Sequence, residues 1–205
     1  MEIWCRILRI SATKNVATYG DKLDRWKREA PMCIAVANKI INRTNAQNEW
    51  RSQNGKPRVK LTGKRLQKIL YLCQLFWYID HEESRMINED FQAWPNGPVI
   101  PQIYDYFSVY QDGDMCPLLL SHSSSLTLEE ATLVNIVVDN TIDIPTEAII
   151  DYTHKPDGPW AKAYRDSQGV YSIISKESIK QFIRNQEHQN DLITFIQDGQ
   201  NYASS

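Results

Sequence analysis

The sequence predicts a mainly α-helical, compact multi-helix domain with one small extended element. Apolar residues recur at helical spacing in several segments, above all in LTGKRLQKILYLCQLFW (61–77). Residues that typically start a helix precede most of these segments. Only RMINEDFQAW (85–94) alternates as a strand would. A chain of 205 residues suffices for one such domain plus an extension.

The first part of the chain divides into an extension, a helix and a loop. Residues 1–31 are polar and basic, and we expect an N-terminal extension whose composition also allows poor order. A helix starts at Met32 and is expected to end near Thr44. Residues 46–60 are expected to form a polar, solvated loop with a turn at its Asn-Gly pair.

The central part carries the strongest helix and the extended element. Thr62 is placed to cap that helix. Its apolar positions repeat at helical spacing and indicate a core helix: Leu66, Ile69, Leu70, Cys73, Phe76 and Trp77. Residues 85–94 then predict one strand of a small ribbon. A further helix is expected at Pro101, because proline is tolerated in the first turn of a helix.

The last part of the chain contains four further helix starts. Thr127 and Glu130 form a T-x-x-E capping box. Pro145 opens a short helix, Pro159 is placed as the first residue of another, and Ser175 is placed to cap the last one. These elements predict a multi-helix domain.

The compact domain is expected over residues 32–190, followed by a C-terminal tail over 191–205. No run of 18 apolar residues exists and the N-terminus has no apolar signal region, so we expect no membrane span and a cytoplasmic protein. The four separated cysteines contain no CxxC pair and are typical of reduced thiols. Metal-ligand pairs are missing as well, so neither a metal site nor a cofactor is expected.

The net charge of −2 conceals a strong asymmetry along the chain. Residues 1–68 carry 16 Lys or Arg against 5 Asp or Glu, whereas residues 69–205 carry 7 against 20. Within residues 80–151, Arg85 is the only basic residue. This acidic region could meet a basic partner, or it could simply be a solvated acidic surface.

The sequence contains no complete catalytic constellation. It has neither a G-x-S-x-G nucleophile motif nor a glycine-rich phosphate loop. His154, with Lys155 and Asp157, stands near Trp160, and a His-Asp pair could act in acid–base chemistry. A structural hydrogen bond is the more frequent role of such a loop histidine. An enzyme that uses His154 as its base is therefore an alternative hypothesis.

A basic segment over residues 51–68 is the second alternative. It contains seven basic residues and no acidic residue. A nucleic-acid-binding regulator could use six of them: Arg51, Lys56, Arg58, Lys60, Lys64 and Arg65. Aromatic interleaving is absent apart from Trp50, so a solvated loop is the favoured interpretation.

Three phrases in order carry a family resemblance. They are LQKILYLCQ (66–74), AWPNGPVIPQIY (93–104) and THKPDGPW (153–160). Together they resemble the Panacea domain, also called the SocA-like antitoxin domain, of bacterial and prophage toxin–antitoxin pairs. The chain departs from the family pattern at Pro95-Asn96, where Lys-Tyr is frequent, and in the longer basic loop.

The resemblance implies a helical, non-enzymatic antitoxin that binds a cognate toxin encoded by the adjacent gene. The antitoxin could mask the toxin, hold it in an inactive state or hand it to a protease. Rigid turns that present aromatic side chains suit such binding. The predicted toxin-binding residues are Trp94, Pro95, Asn96, Gly97, Pro98 and Tyr104, with His154 and Trp160 beside them and Glu89 and Asp90 on the acidic surface.

A structural role for the same residues stays open. Trp94 and Trp160 could each be buried in the core, which is the favoured interpretation for a single tryptophan, and the Gly-Pro pairs could simply start helices. Toxin specificity would then lie on the acidic surface around residues 80–92 and 111–116.

Overall fold

The computed structural model describes residues 31–110, 115–117, 125–166 and 171–202. This part of the chain forms eight α-helices and a small three-stranded antiparallel sheet, which confirms the predicted fold class. The elements are α1 (Met32–Gln53), α2 (Gly63–Asp80), β1 (Gln92–Trp94), β2 (Gly97–Val99), α3 (Pro101–Phe107), a 3₁₀ turn (Ser108–Tyr110), α4 (Leu128–Thr141), α5 (Thr146–Thr153), α6 (Pro159–Asp166), β3 (Ser172–Ile173), α7 (Lys176–Arg184) and α8 (Gln186–Tyr202). Among the described helices, none has the length and apolarity to cross a membrane.

Helix α2 lies at the centre of the domain. It contacts α1, α3, α4, α5, α7 and β2. The Thr62 side chain caps it by accepting a hydrogen bond from the Arg65 amide at 3.2 Å, as predicted. Its apolar residues are almost completely buried, and so are several polar ones, including Gln67, Lys68 and Gln74. The core helix predicted from the apolar spacing is therefore confirmed.

Helix α1 is longer than the sequence pattern suggested. The predicted end near Thr44 is wrong, because the helix continues to Gln53. The stretch TNAQNEWRSQ (44–53) contains no proline or glycine, so nothing in it interrupts the backbone hydrogen bonds. Polar residues occupy its inner face, where apolar periodicity gives no signal. Arg51 is buried there and forms an ion pair with Asp143 at 2.7 Å.

The prediction of a loop over residues 46–60 is also wrong in part. Its first half belongs to α1, and the chain turns at Asn54-Gly55, where Gly55 has a φ of +68°. The Asn48 side chain then holds the remainder in place. It donates to the Val59 carbonyl at 2.9 Å and accepts from the Val59 amide at 2.8 Å. The segment is therefore attached to α1 rather than fully solvated.

The sheet has the strand order β2-β1-β3, and both neighbouring pairs are antiparallel. Strands β1 and β2 form a hairpin in which Trp94 pairs with Gly97 across the turn. Strand β3 returns from much later in the chain and pairs Gln92 with Ile173. The predicted extended element is thus the first strand of this sheet.

The predicted helix starts are present in the structure. Thr127 and Glu130 form the reciprocal capping box of α4, and Ser175 accepts a hydrogen bond from the Ser178 amide at the start of α7. Pro145 precedes α5, and Pro159 is the first residue of α6. The sequence predicted these starts correctly, because each depends on residues within three positions of the first residue of the helix.

The C-terminal helix α8 continues through residue 190 and packs against α4. Its Leu192 and Ile196 are buried. Gly199 is the point of closest approach. A Cβ atom there would lie far inside van der Waals contact with the Asn140 carbonyl oxygen and 2.8 Å from the Ile144 side chain. The division at residues 190 and 191 stays a prediction, while α8 itself contributes to the core.

We expect Gly199→Ala to lower the free energy of unfolding by about 2 kcal/mol, because overpacking a close helix contact forces α8 away from α4. Chemical denaturation measures this change. Gly63→Ala is the matched control, since its Cβ would meet nothing closer than Met115 at 3.9 Å. Equal stability of both variants would contradict the close packing of α8.

Candidate functional site

The β1–β2 hairpin exposes Pro95 and Asn96 at its tip and buries Gly97 behind them. Gly97 has a φ of +99°, which residues with a side chain rarely adopt. A Cβ atom at this position would lie 2.7 Å from Lys68 Cε and 3.0 Å from His154 Nε2. The turn therefore needs glycine both for its backbone conformation and for the close approach of two side chains.

Polar side chains of α2 hold the backbone around this hairpin. Gln67 accepts from the Ile100 amide at 2.8 Å and donates to the Ile100 carbonyl at 3.2 Å. Lys68 Nζ donates to the Pro98 carbonyl at 2.9 Å. These bonds give the Ile100 amide and the Pro98 carbonyl side-chain partners on α2, so the position of the hairpin follows from α2.

The segment before the hairpin is held in the same manner. Gln74 accepts a hydrogen bond from the Ile87 amide at 2.9 Å. The Tyr71 ring meets the Phe91 ring edge-on, with centroids 5.2 Å apart. The polar and aromatic positions of LQKILYLCQ are thus directed at residues 87–100, and the first motif supports the second.

Lys68 is an unusual member of this group because it is buried, with 1% of its surface exposed. Burial, together with the charge of Lys64, lowers the pKa of its ammonium group to about 7. The neutral amine can still donate to the Pro98 carbonyl. A lysine at this position therefore stabilises the hairpin without requiring a fully charged group in the interior.

The third motif packs against the back of the hairpin. The His154 ring stacks on the Trp160 ring, with centroids 3.8 Å apart. Trp160 Nε1 donates to the Trp94 carbonyl at 2.9 Å. Burial lowers the pKa of His154, and the nearby Lys68 lowers it further. His154 and Trp160 thus act together as a support for the turn.

Three aromatic rings lie on the outer side of the hairpin. Trp94 is half-buried and contacts the rings of Tyr104 and Tyr171, each with a centroid distance of 4.9 Å. Tyr104 is 51% exposed and Tyr171 is 57% exposed. We call Trp94, Tyr104 and Tyr171 the aromatic surface. The exposed tip residues Pro95 and Asn96 adjoin it in sequence.

The predicted toxin-binding residues near the hairpin separate into an outer and an inner group. Trp94, Pro95, Asn96 and Tyr104 are exposed or half-buried on the outer side. The inner group supports the turn and comprises Gly97, Pro98, His154 and Trp160. Neither tryptophan is fully buried, but Trp160 packs against the core, so the expected core burial is wrong for Trp94 and correct in part for Trp160. Sequence reasoning missed Tyr171, because only the pairing of β3 with β1 brings it to Trp94.

The two predicted acidic residues have partners within the chain. Glu89 accepts a hydrogen bond from the Cys33 amide at 3.0 Å, at the N-terminus of α1, where no local side chain serves as a cap. A carboxylate is favourable there because it meets the positive end of the helix dipole. Asp90 pairs with Arg85 at 3.1 Å. Of the second acidic stretch, residues 111–114 lie outside the described residues.

The six residues of the nucleic-acid alternative do not share one surface. Arg51 and Arg65 are buried. Arg65 donates to the carbonyl oxygens of Thr141, the last residue of α4, and of Ile142 and Ile144 in the connection to α5. Burial lowers its pKa to about 10, and two nearby carboxylates oppose this shift. The exposed remainder consists of Lys56, Arg58, Lys60 and Lys64.

The enzyme alternative receives little geometric support at His154. Its Nε2 atom is buried, has no hydrogen-bond partner and faces Gly97 rather than a cleft. Asp157, the predicted acidic neighbour, instead lies 2.9 Å from His188 Nε2. Within the described ranges, no group of three or more His, Cys, Asp or Glu residues could hold a metal ion.

Comparison with known families agrees with this geometry. Residues 66–161 match the family described as antitoxin SocA-like, Panacea domain. The match covers all three motifs and confirms the resemblance. The family name indicates an antitoxin-like protein and suggests a toxin as its partner. No curated protein and no solved structure matches the chain.

We expect Lys68→Met to flatten the dependence of stability on alkaline pH. The folded-state pKa of Lys68, about 7, lies below the usual 10.5, so between these values only the unfolded chain binds the proton. The free energy of unfolding of the wild type therefore rises with pH, by up to about 1.4 kcal/mol per pH unit, and falls again on acidification toward pH 7.

Urea denaturation at several pH values between 7 and 9.5 measures this slope. The difference between wild type and Lys68→Met isolates Lys68 from the buried tyrosines and cysteines, which titrate in both proteins. The exposed Lys64 is the matched control, and Lys64→Met should retain most of the wild-type slope. If the curves of unfolding free energy against pH run parallel for the wild type and Lys68→Met, the lowered pKa of the buried Lys68 is contradicted.

Proposed function

We propose that this protein is the antitoxin of a bacterial or prophage toxin–antitoxin pair and neutralises its cognate toxin by direct binding. The partner is the toxin encoded by the adjacent gene. The observation that carries the proposal is the aromatic surface beside a rigid turn, within a domain of an antitoxin family. Binding takes place in the cytoplasm through the compact domain at residues 32–190.

The composition of the aromatic surface favours protein binding. Tryptophan and tyrosine are enriched among the residues that dominate binding energy at interfaces. Each has a large apolar body together with a polar atom that can pair at the edge of an interface. Tyr104 is about half exposed in a position where its ring already rests on Trp94. A partner would therefore bury substantial aromatic area there.

Rigidity of the support favours binding as well. Gln67, Lys68 and Trp160 form hydrogen bonds that hold the backbone on either side of the hairpin tip. A surface that is already ordered loses little conformational entropy when a partner binds. The inner group of residues thus contributes to affinity by fixing the outer group, without touching the toxin.

Neutralisation by this route requires no catalytic group in the antitoxin. Masking of the toxin, retention of an inactive toxin state and delivery to a protease all begin with the same binding step. The aromatic surface supplies this step, and the acidic residues of the second half of the chain favour encounter with a basic toxin surface.

Co-expression with the adjacent open reading frame tests the proposal. We expect the wild type to restore growth of cells that express the toxin and to co-purify with it. Tyr104→Ala should raise the Kd at least tenfold, about 1.4 kcal/mol, because it removes a central ring of the surface. Isothermal titration calorimetry with the purified toxin measures the Kd.

Trp50→Ala is the matched control. Trp50 is 50% exposed on α1 but lies outside the aromatic surface, so its loss should leave binding unchanged. Restored growth without any physical association would refute direct binding. A Tyr104→Ala variant that binds as tightly as the wild type would instead refute the aromatic surface as the contact site.

A further inference from the structure

Strand β3 is preceded by a residue with a strained backbone. Tyr171 has a φ of 79°, and it is the only residue other than glycine with a positive φ among those described. This conformation is unfavourable for an aromatic residue because its Cβ atom crowds the backbone. Tyr171 nevertheless donates its amide to the Ala93 carbonyl at 2.8 Å, so the strained conformation is firmly held.

The residues that follow explain how the strain persists. Ile174 donates its amide to the Phe91 carbonyl at 2.8 Å, and the Ser172 hydroxyl donates to the Ala163 carbonyl at 2.8 Å. Strand β3 is thereby fixed against both β1 and α6. A strained backbone conformation persists where the surrounding contacts hold it in place, and such residues concentrate at functional sites. Here the result is an exposed tyrosine ring held edge-on against Trp94, with an interplanar angle of 88°.

Such an arrangement leaves aromatic faces available beside an apolar side chain. Tyr104 and Tyr171 are each about half exposed, and the neighbouring Ile173 is 58% exposed. The face of an aromatic ring attracts cations, above all the guanidinium group of arginine. At longer range, the excess of 20 acidic over 7 basic residues within residues 69–205 attracts a cationic partner, even though some of these carboxylates have partners within the chain.

We propose that Tyr171 determines the partner specificity of the aromatic surface by binding a basic segment of the toxin. An arginine or lysine side chain of that segment stacks on the exposed ring of Tyr171, beside the half-buried Trp94, while its aliphatic part contacts Ile173. This inference rests on the proposed function and adds to it the charge of the bound segment and the residue that selects it.

Three variants of Tyr171 separate binding from folding. Tyr171→Gly and Tyr171→Asn both remove the ring, and both residues adopt a positive φ readily, so each relieves the backbone strain. Tyr171→Phe keeps the ring and the strain. We expect the first two to raise the Kd for the adjacent gene product at least tenfold with the Tm within a few degrees of the wild type, and Tyr171→Phe to bind within threefold of the wild type.

Salt dependence tests the charge of the bound segment. For the wild-type complex, we expect the Kd to rise at least fivefold between 50 and 300 mM sodium chloride, because salt screens the attraction between opposite charges. A Kd that does not change over this range would overturn the proposal that the bound segment is basic.

If Tyr171→Gly or Tyr171→Asn binds the gene product as tightly as the wild type does, the proposed role of Tyr171 is overturned. Loss of the folded state in both variants would do the same, because the ring would then serve the fold. If the wild type itself neither binds the gene product nor restores growth, the proposed function fails, and this failure is distinct from a failure confined to the Tyr171 variants.

Discussion

The arrangement of the domain depends on hydrogen bonds between buried side chains of α2 and the backbone of residues 87–100. Gln67, Lys68 and Gln74 each reach a peptide group that no strand or helix satisfies. A buried peptide group without a partner costs about 1–3 kcal/mol, so these bonds constrain the chain strongly. They explain why the central helix carries polar residues on faces that are otherwise packed with apolar side chains.

One consequence is that the three sequence motifs converge on a single backbone position. Lys68 from the first motif and His154 from the third approach Gly97 of the second so closely that no side chain fits there. Residues from all three motifs therefore build and support the turn. The outer face of the hairpin includes Tyr171, which belongs to none of the motifs.

Charged residues that the sequence assigned to a surface also stabilise the fold of this protein. Part of the basic segment stabilises the interior, since Arg51 pairs with Asp143 and Arg65 binds the connection between α4 and α5. Of the acidic residues predicted to meet a partner, Glu89 caps α1 and Asp90 pairs with Arg85. Long stretches of one charge sign in the sequence therefore do not translate directly into surfaces of one sign.

The sequence alone determined the elements that depend on near neighbours. Helix caps at Thr62, Thr127 and Ser175 involve residues three positions apart, and the apolar spacing of α2 repeats within a few turns. The end of α1 escaped prediction because its last turns bury polar residues whose partners lie far along the chain.

Only the tertiary structure decided which side chains lie on the outer side of the hairpin. The pairing of β3 with β1 brings Tyr171 to Trp94, and the packing of α6 behind the hairpin directs Trp160 inward. These contacts join residues that are distant in sequence, and no local periodicity encodes them. Periodicity distinguishes apolar from polar positions, whereas the outer position of Tyr104 and the inner position of Lys68 depend on the final packing of the helices around α2.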